Sequence, residues 1–103
     1  IENAEIREIR KKLREGTRLE DLEADEWEIM NAFLYLQYRN GDLAYLQYQA
    51  DIFDEERLRS GFGLLVPLLS LPTIQDHWNR SKGGFVADYQ IYIDDLIAQI
   101  SER

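Results

Sequence analysis

Trp27, Met30, Leu34, Tyr38, Gly41, Tyr45, Tyr48 and Ile52 follow one another at steps of three or four residues. That spacing lines one face of a helix. Asn40-Gly41, in the middle, raises a rival reading: a two-residue type I′ hairpin turn between tyrosine-rich strands. Strands with one buried face alternate apolar with polar residues. Here Leu34-Tyr35-Leu36 and Leu43-Ala44-Tyr45-Leu46 are continuously apolar on both sides of the turn. A glycine inside a helix costs about 1 kcal/mol relative to alanine, and eight stripe positions outweigh that. On a packing stripe, glycine also admits a close neighbour. The spacing therefore predicts one long helix over about residues 23–51 with Asn40-Gly41 inside it. The block Tyr-Leu-Gln-Tyr occurs at 35–38 and again at 45–48. Ten residues is not far from three turns, so both blocks are expected to present the same packing face.

The other elements follow from the same rules. Ile6, Ile9 and Leu13 form a narrow helical stripe that Gly16 stops, a connector or docking helix over 1–16 ahead of a bundle over 22–103. Thr17-Arg18-Leu19-Glu20 fits a capping box, and 17–22 reads as a short turn before the main start near Glu23. Asp54 caps the next helix, with Glu55 and Glu56 in its first turn. Its stripe is Leu58, Phe62, Leu65 and Leu69, with a kink expected at Pro67. A fourth helix begins at Ser70-Leu71-Pro72-Thr73, with Pro72 in the first position or Thr73 as cap, and carries Ile74 and Trp78. Gly83-Gly84 ends it. Val86, Tyr89, Ile93, Leu96 and Ile100 make a closing helix to about Ser101. The fold class expected is all-α, a single domain of about five helices around one long central helix.

Composition narrows the function. The 103-residue chain has a formal net charge of -8. Nucleic acid and anionic membrane surfaces call for a basic footprint, so neither is expected as the main partner. The basic run Arg7, Arg10, Lys11, Lys12 and Arg14 is interleaved with acids and reads as a solvated helix face. There is no cysteine and one histidine, which removes disulfides, thiolate chemistry and cysteine-based metal sites. The longest apolar run, Phe62 to Leu71, is too short to span a bilayer. The chain begins at Ile1 rather than Met and is read as an excised piece of something longer.

Tyr45-Leu46-Gln47-Tyr48, then Asp54-Glu55-Glu56, Pro72, Trp78, Phe85 and the Tyr89/Tyr92 pair occur in an order that resembles a family of uncharacterised bacterial helical proteins. Those proteins read aromatic-x-Gln-Tyr, a turn with Asp-Glu-Glu, a helix, a Pro, a Trp and a closing Phe-containing helix. The resemblance spans roughly residues 22–97. It implies a helical fold and membrane attachment through a segment outside this chain; a cytoplasmic domain of a membrane-anchored protein is one placement that fits, and the side of the membrane is left open. It implies no established activity. Two positions depart from the pattern: Asp51 stands where a turn glycine is common, and His77-Trp78 where a Trp-Trp pair is common.

Catalytic signatures are weak. Asp76-His77 could form a base, but an exposed or capping histidine is the plainer reading, and His77→Ala is then expected to change stability by no more than about 0.5 kcal/mol. Asp51, Asp54, Glu55 and Glu56 lack the order of a calcium loop and read as a helix start. Asp94 and Asp95 point about 100° apart on a helix and do not face each other. No enzyme activity, metal or cofactor is expected. The aromatic residues are more informative. Tyr38, Tyr45, Tyr48, Trp78 and Tyr89 are candidates for a ligand-lined cleft or a partner surface, against the plainer reading of core rings with bonded tips. Two functions compete: a helical interaction or regulatory domain that meets a protein partner or itself through aromatic helix faces, and a small-molecule sensor with a Tyr/Trp-lined pocket between helices.

Overall fold

The computed structural model describes residues 4–102. The start at Ile1 lies outside them. The helices are α1 (Ala4–Arg14), α2 (Ala24–Gln49), α3 (Glu55–Ser60), α4 (Leu65–Leu69), α5 (Pro72–Ser81) and α6 (Ala87–Ser101). Short 3-10 turns lie at Leu19–Asp21 and Lys82–Gly84. There is no strand among the described residues. The chain is an all-α bundle around one long helix. Asn40 and Gly41 both lie inside α2.

Two helix ends share one device. After α1, Gly16 takes φ 108°, its N–H reaches the Leu13 carbonyl, and the Thr17 N–H reaches the Lys12 carbonyl. After α2, Asp51 takes φ 62°, its N–H reaches the Tyr48 carbonyl, and the Ile52 N–H reaches the Gln47 carbonyl. Both are Schellman closures, in which a left-handed residue lets two carbonyls of the last turn be satisfied. Asp51 therefore occupies a conformation that glycine adopts more readily.

Several local expectations are corrected. The capping box belongs to Glu23 and Glu26 at the start of α2, not to Thr17 and Glu20. Glu20 instead pairs with Arg18 at 2.7 Å. The expected single helix kinked at Pro67 is two helices, interrupted at residues 61–64, where Gly61 and Gly63 lower helix propensity. Pro67 is the third residue of α4, where its missing N–H would have had no partner within the helix. Leu58, Phe62, Leu65 and Leu69 still all face the core. Pro72 is the first residue of α5, and the Thr73 hydroxyl accepts the Leu19 N–H at 3.0 Å, tying the turn before α2 to α5.

The core gathers Ile9 and Leu13 of α1, Met30, Leu34 and Tyr38 of α2, Leu58, Phe62, Leu65 and Leu69, then Ile74 and Trp78 of α5 and Tyr89 and Ile93 of α6. α1 thus docks on the bundle and adds to the common core. The predicted α2 stripe holds in its middle, at Met30, Leu34, Tyr38 and Gly41. Its ends differ: Trp27, Tyr48 and Ile52 are exposed. The Tyr-Leu-Gln-Tyr blocks do not share a face either. Ten residues fall roughly 80° short of three full turns, so Gln37 and Tyr38 are buried whereas Tyr48 is 37% exposed.

Candidate functional site

A largely buried polar centre links Asn31, Tyr38, His77 and Tyr89 across α2, α5 and α6, the first three through their side chains and Tyr89 through the Tyr38 backbone. Asn31 and Tyr38 are seven residues apart on α2, so they stand two turns apart on one face. Both reach the same imidazole, that of His77 on α5. The Tyr38 hydroxyl donates to Nδ1 at 2.8 Å, and Nε2–H donates to Asn31 Oδ1 at 2.8 Å. Because the amide oxygen only accepts, the proton sits on Nε2. From α6, the Tyr89 hydroxyl donates to the Tyr38 backbone carbonyl at 2.7 Å. It reaches that carbonyl past Gly41, where an added Cβ would stand 2.5 Å from the Tyr89 oxygen and 2.5 Å from Phe62 Cε1.

The expectation of an exposed histidine is overturned. His77 is 5% exposed, with both ring nitrogens bonded. Burial, helped by the charge of Arg80, pushes its pKa down to about 4, so the imidazole is neutral near pH 7. Burial also raises the phenols of Tyr38 and Tyr89 well above their usual value. Asp76 does not orient the ring; its carboxylate pairs with Arg18 at 2.5 Å. The imidazole therefore works as a two-ended clamp between α2 and α5.

Rings close around this centre. Trp78 meets Tyr38 edge-on at 5.0 Å, Phe85 lies 5.8 Å from Trp78, and Tyr35 covers His77 at 5.6 Å. The indole N–H of Trp78 donates to Asp94 Oδ1 at 2.9 Å, and Lys82 Nζ donates to the other carboxylate oxygen at 3.0 Å. Asp94, discounted in the sequence, satisfies the one polar atom of a fully buried tryptophan.

The candidate aromatics thus separate. Tyr38, Trp78 and Tyr89 are completely buried, with their polar tips bonded inside the bundle. That removes them from any partner surface. Tyr45 is half-buried, 4.8 Å from the ring of Tyr92, and Tyr48 is exposed beside it. Two of the acids near residue 51 have local partners: Asp54 accepts the Arg57 N–H at 2.8 Å and Glu55 pairs with Arg59 at 3.1 Å. Two open clefts have no tyrosine in their linings. One, of 490 Å³, runs along Glu5, Glu8, Asp25 and Glu26; the other, of 550 Å³, is lined by Arg59, Phe62, Val66, Pro67 and Leu96.

The outer face of α2 is the feature that remains. Leu36, Leu43 and Leu46 are 54%, 56% and 60% exposed, on the side of the helix opposite Met30 and Gly41. Ala32, Leu36, Arg39, Leu43, Leu46 and Ala50 alternate steps of four and three, the spacing of coiled-coil seam positions. Ile29 continues the stripe toward α1 and is partly covered by the core. The continuous apolar runs on either side of Asn40-Gly41 were the sequence signal: they are what a helix with two apolar faces looks like.

No family model, curated protein or solved structure matches this chain.

Proposed function

We propose that this chain is a non-enzymatic helical interaction domain whose docking surface is the outer face of α2. The observation that carries this reading is the line of Leu36, Leu43 and Leu46, each more than half exposed, on a helix whose inner face is already filled. Isolated exposed leucines are common on protein surfaces, but leucines aligned at seam spacing along one helix form a patch that marks an interaction site. A helix apolar on two opposite faces is suited to two partners, and the bundle supplies one.

The rival reading, a small-molecule sensor, draws on the tyrosine-rich interior. The hydroxyls of Tyr38 and Tyr89 are engaged within the core rather than turned toward the clefts, which favours the interaction domain. The proposal that the domain belongs to a larger, membrane-anchored bacterial protein rests on the resemblance described above. No helix among the described residues is long and apolar enough to cross a membrane.

The test is a photo-reactive amino acid placed at Leu43 in the native host, with the same residue at exposed Glu56 as control. The proposal expects a protein adduct from position 43 and none from position 56. Equal adduct formation at both, or none at 43, contradicts it.

A further inference from the structure

We infer that the partner of this face is a second copy of the chain, with the two α2 helices packed antiparallel about the level of residue 41. The inference rests on the interaction-domain reading above and specifies its occupant.

The order of residues along the stripe is nearly the same from either end: Ala32, Leu36, Arg39, then Leu43, Leu46, Ala50. Turned end for end and centred at residue 41, the seam sets Ala32 against Ala50 of the second copy, Leu36 against Leu46, and Arg39 against Leu43. A twofold contact uses one patch twice and so requires a patch complementary to itself. The small alanines at both ends let the helices stay close over the whole seam, about 27 Å at 1.5 Å per residue. The strict seven-residue spacing drifts relative to a straight helix and favours a shallow left-handed crossing.

Charge selects the direction. Arg39 is the one ionic residue in the seam. Parallel pairing in register would set two arginines against each other inside an apolar contact, which is costly. Antiparallel pairing sets each arginine over an apolar leucine and beside Asp42 of the other copy, because residue 40 then lies level with residue 42. Charges flanking the seam set orientation in this manner in paired helices. Arg39 is exposed and Asp42 half-buried on the isolated chain, so the guanidinium is accessible for this exchange. One helix-wide seam is at the small end of specific interfaces, so the dimer is expected to form in the micromolar range.

The chain has no cysteine, so engineered thiols report on this geometry without background. Leu36→Cys and Leu46→Cys replace exposed side chains and are expected to fold normally. Mixed in equal amounts and mildly oxidised, the two variants should give a linked species of twice the 12.2 kDa chain mass, while either variant alone stays unlinked. Linking of each variant with itself would show parallel pairing and overturn the inference, as would no linking in the mixture. Sedimentation equilibrium on the unmodified chain gives a second reading. Dimerisation should weaken at least tenfold in Leu43→Lys, which faces Arg39 of the second copy, and less in Leu43→Glu, which offers that arginine an acid. Equal effects, or a monomer at every concentration, would overturn the inference. If the photo-reactive residue at position 43 then captures a different protein, the interaction-domain reading stands and only self-pairing falls. If it captures nothing, both fall.

Discussion

Tyr89 reaches the backbone of α2 because residue 41 is glycine. Its hydroxyl donates to the Tyr38 carbonyl at 2.7 Å and lies 2.5 Å from where a Cβ on Gly41 would stand. The same absent side chain makes room for the ring of Phe62. Gly41→Ala therefore trades a gain in helix propensity for a double clash with buried rings. The expected outcome is a loss of about 1–3 kcal/mol in denaturant melts. In Gly41→Ala combined with Tyr89→Phe, one of the two clashes is gone, so the combined loss should be smaller than the sum of the single losses. A stabilising Gly41→Ala would contradict this packing.

His77→Ala should be far from silent. It opens a cavity at a 5% exposed site and leaves the Tyr38 hydroxyl and the Asn31 amide without their shared partner. The expected cost is about 2–4 kcal/mol, read from urea unfolding. A change within about 0.5 kcal/mol, the surface-residue expectation from the sequence, would contradict the clamp.

Acid should loosen the same clamp. The native imidazole titrates at about 4, below the usual value near 6.5. The unfolded chain thus binds this proton more readily than the native one, and the associated stability is present above about pH 6.5 and lost as pH falls toward 4. The shift corresponds to roughly 3 kcal/mol at 1.36 kcal/mol per pH unit. Unfolding free energies of the parent chain and of His77→Gln should therefore converge between pH 6.5 and 4. Parallel curves across that window would rule out a buried neutral histidine.

Asp51 holds a left-handed conformation that glycine adopts without steric penalty. Asp51→Gly should raise stability by about 0.5 kcal/mol, the left-handed relief slightly exceeding the added chain entropy. A clear fall in melting temperature would show that the carboxylate has a role of its own.

Asp94 and Lys82 should not contribute equally. Asp94→Ala leaves the indole N–H of fully buried Trp78 without its acceptor, at an expected cost of about 1–3 kcal/mol. Lys82→Ala removes only a partly exposed ion pair and should cost less than about 1 kcal/mol. Equal losses in thermal melts would contradict this division.

The fold was legible where periodicity was strong and local. The α2 stripe decided against a hairpin, and Asp54 and Gly16 marked helix ends that the structure places within a residue or two. What escaped was three-dimensional pairing. Asn31, His77 and Tyr38 lie 39 to 46 residues apart in two of their pairings, and no spacing rule joins a lone histidine to an asparagine on another helix. Asp94 looked idle because its partner, Trp78, sits on a different helix. The aromatic candidates divided for a related reason: Tyr38, Trp78 and Tyr89 are core rings with bonded tips, whereas Tyr45 is half-buried and Tyr48 exposed, and polar-tipped rings suit surfaces and cores alike until their hydrogen-bond partners are known. The outer leucines lie in the same apolar runs that excluded the hairpin, but helical periodicity marks the core face and does not say whether a second apolar face is covered.

The outer face of α2 is a pairing surface rather than inert exposure if it responds to the concentration of the chain itself. A dilution series of amide proton–nitrogen NMR spectra on the unaltered chain, from micromolar to millimolar, tests this directly. The predicted result is concentration-dependent shifts concentrated at Ala32, Leu36, Arg39, Leu43 and Leu46, with the inward-facing Met30, Leu34 and Tyr38 much less affected. Spectra that stay fixed across the series, or shifts centred on another helix, would contradict it.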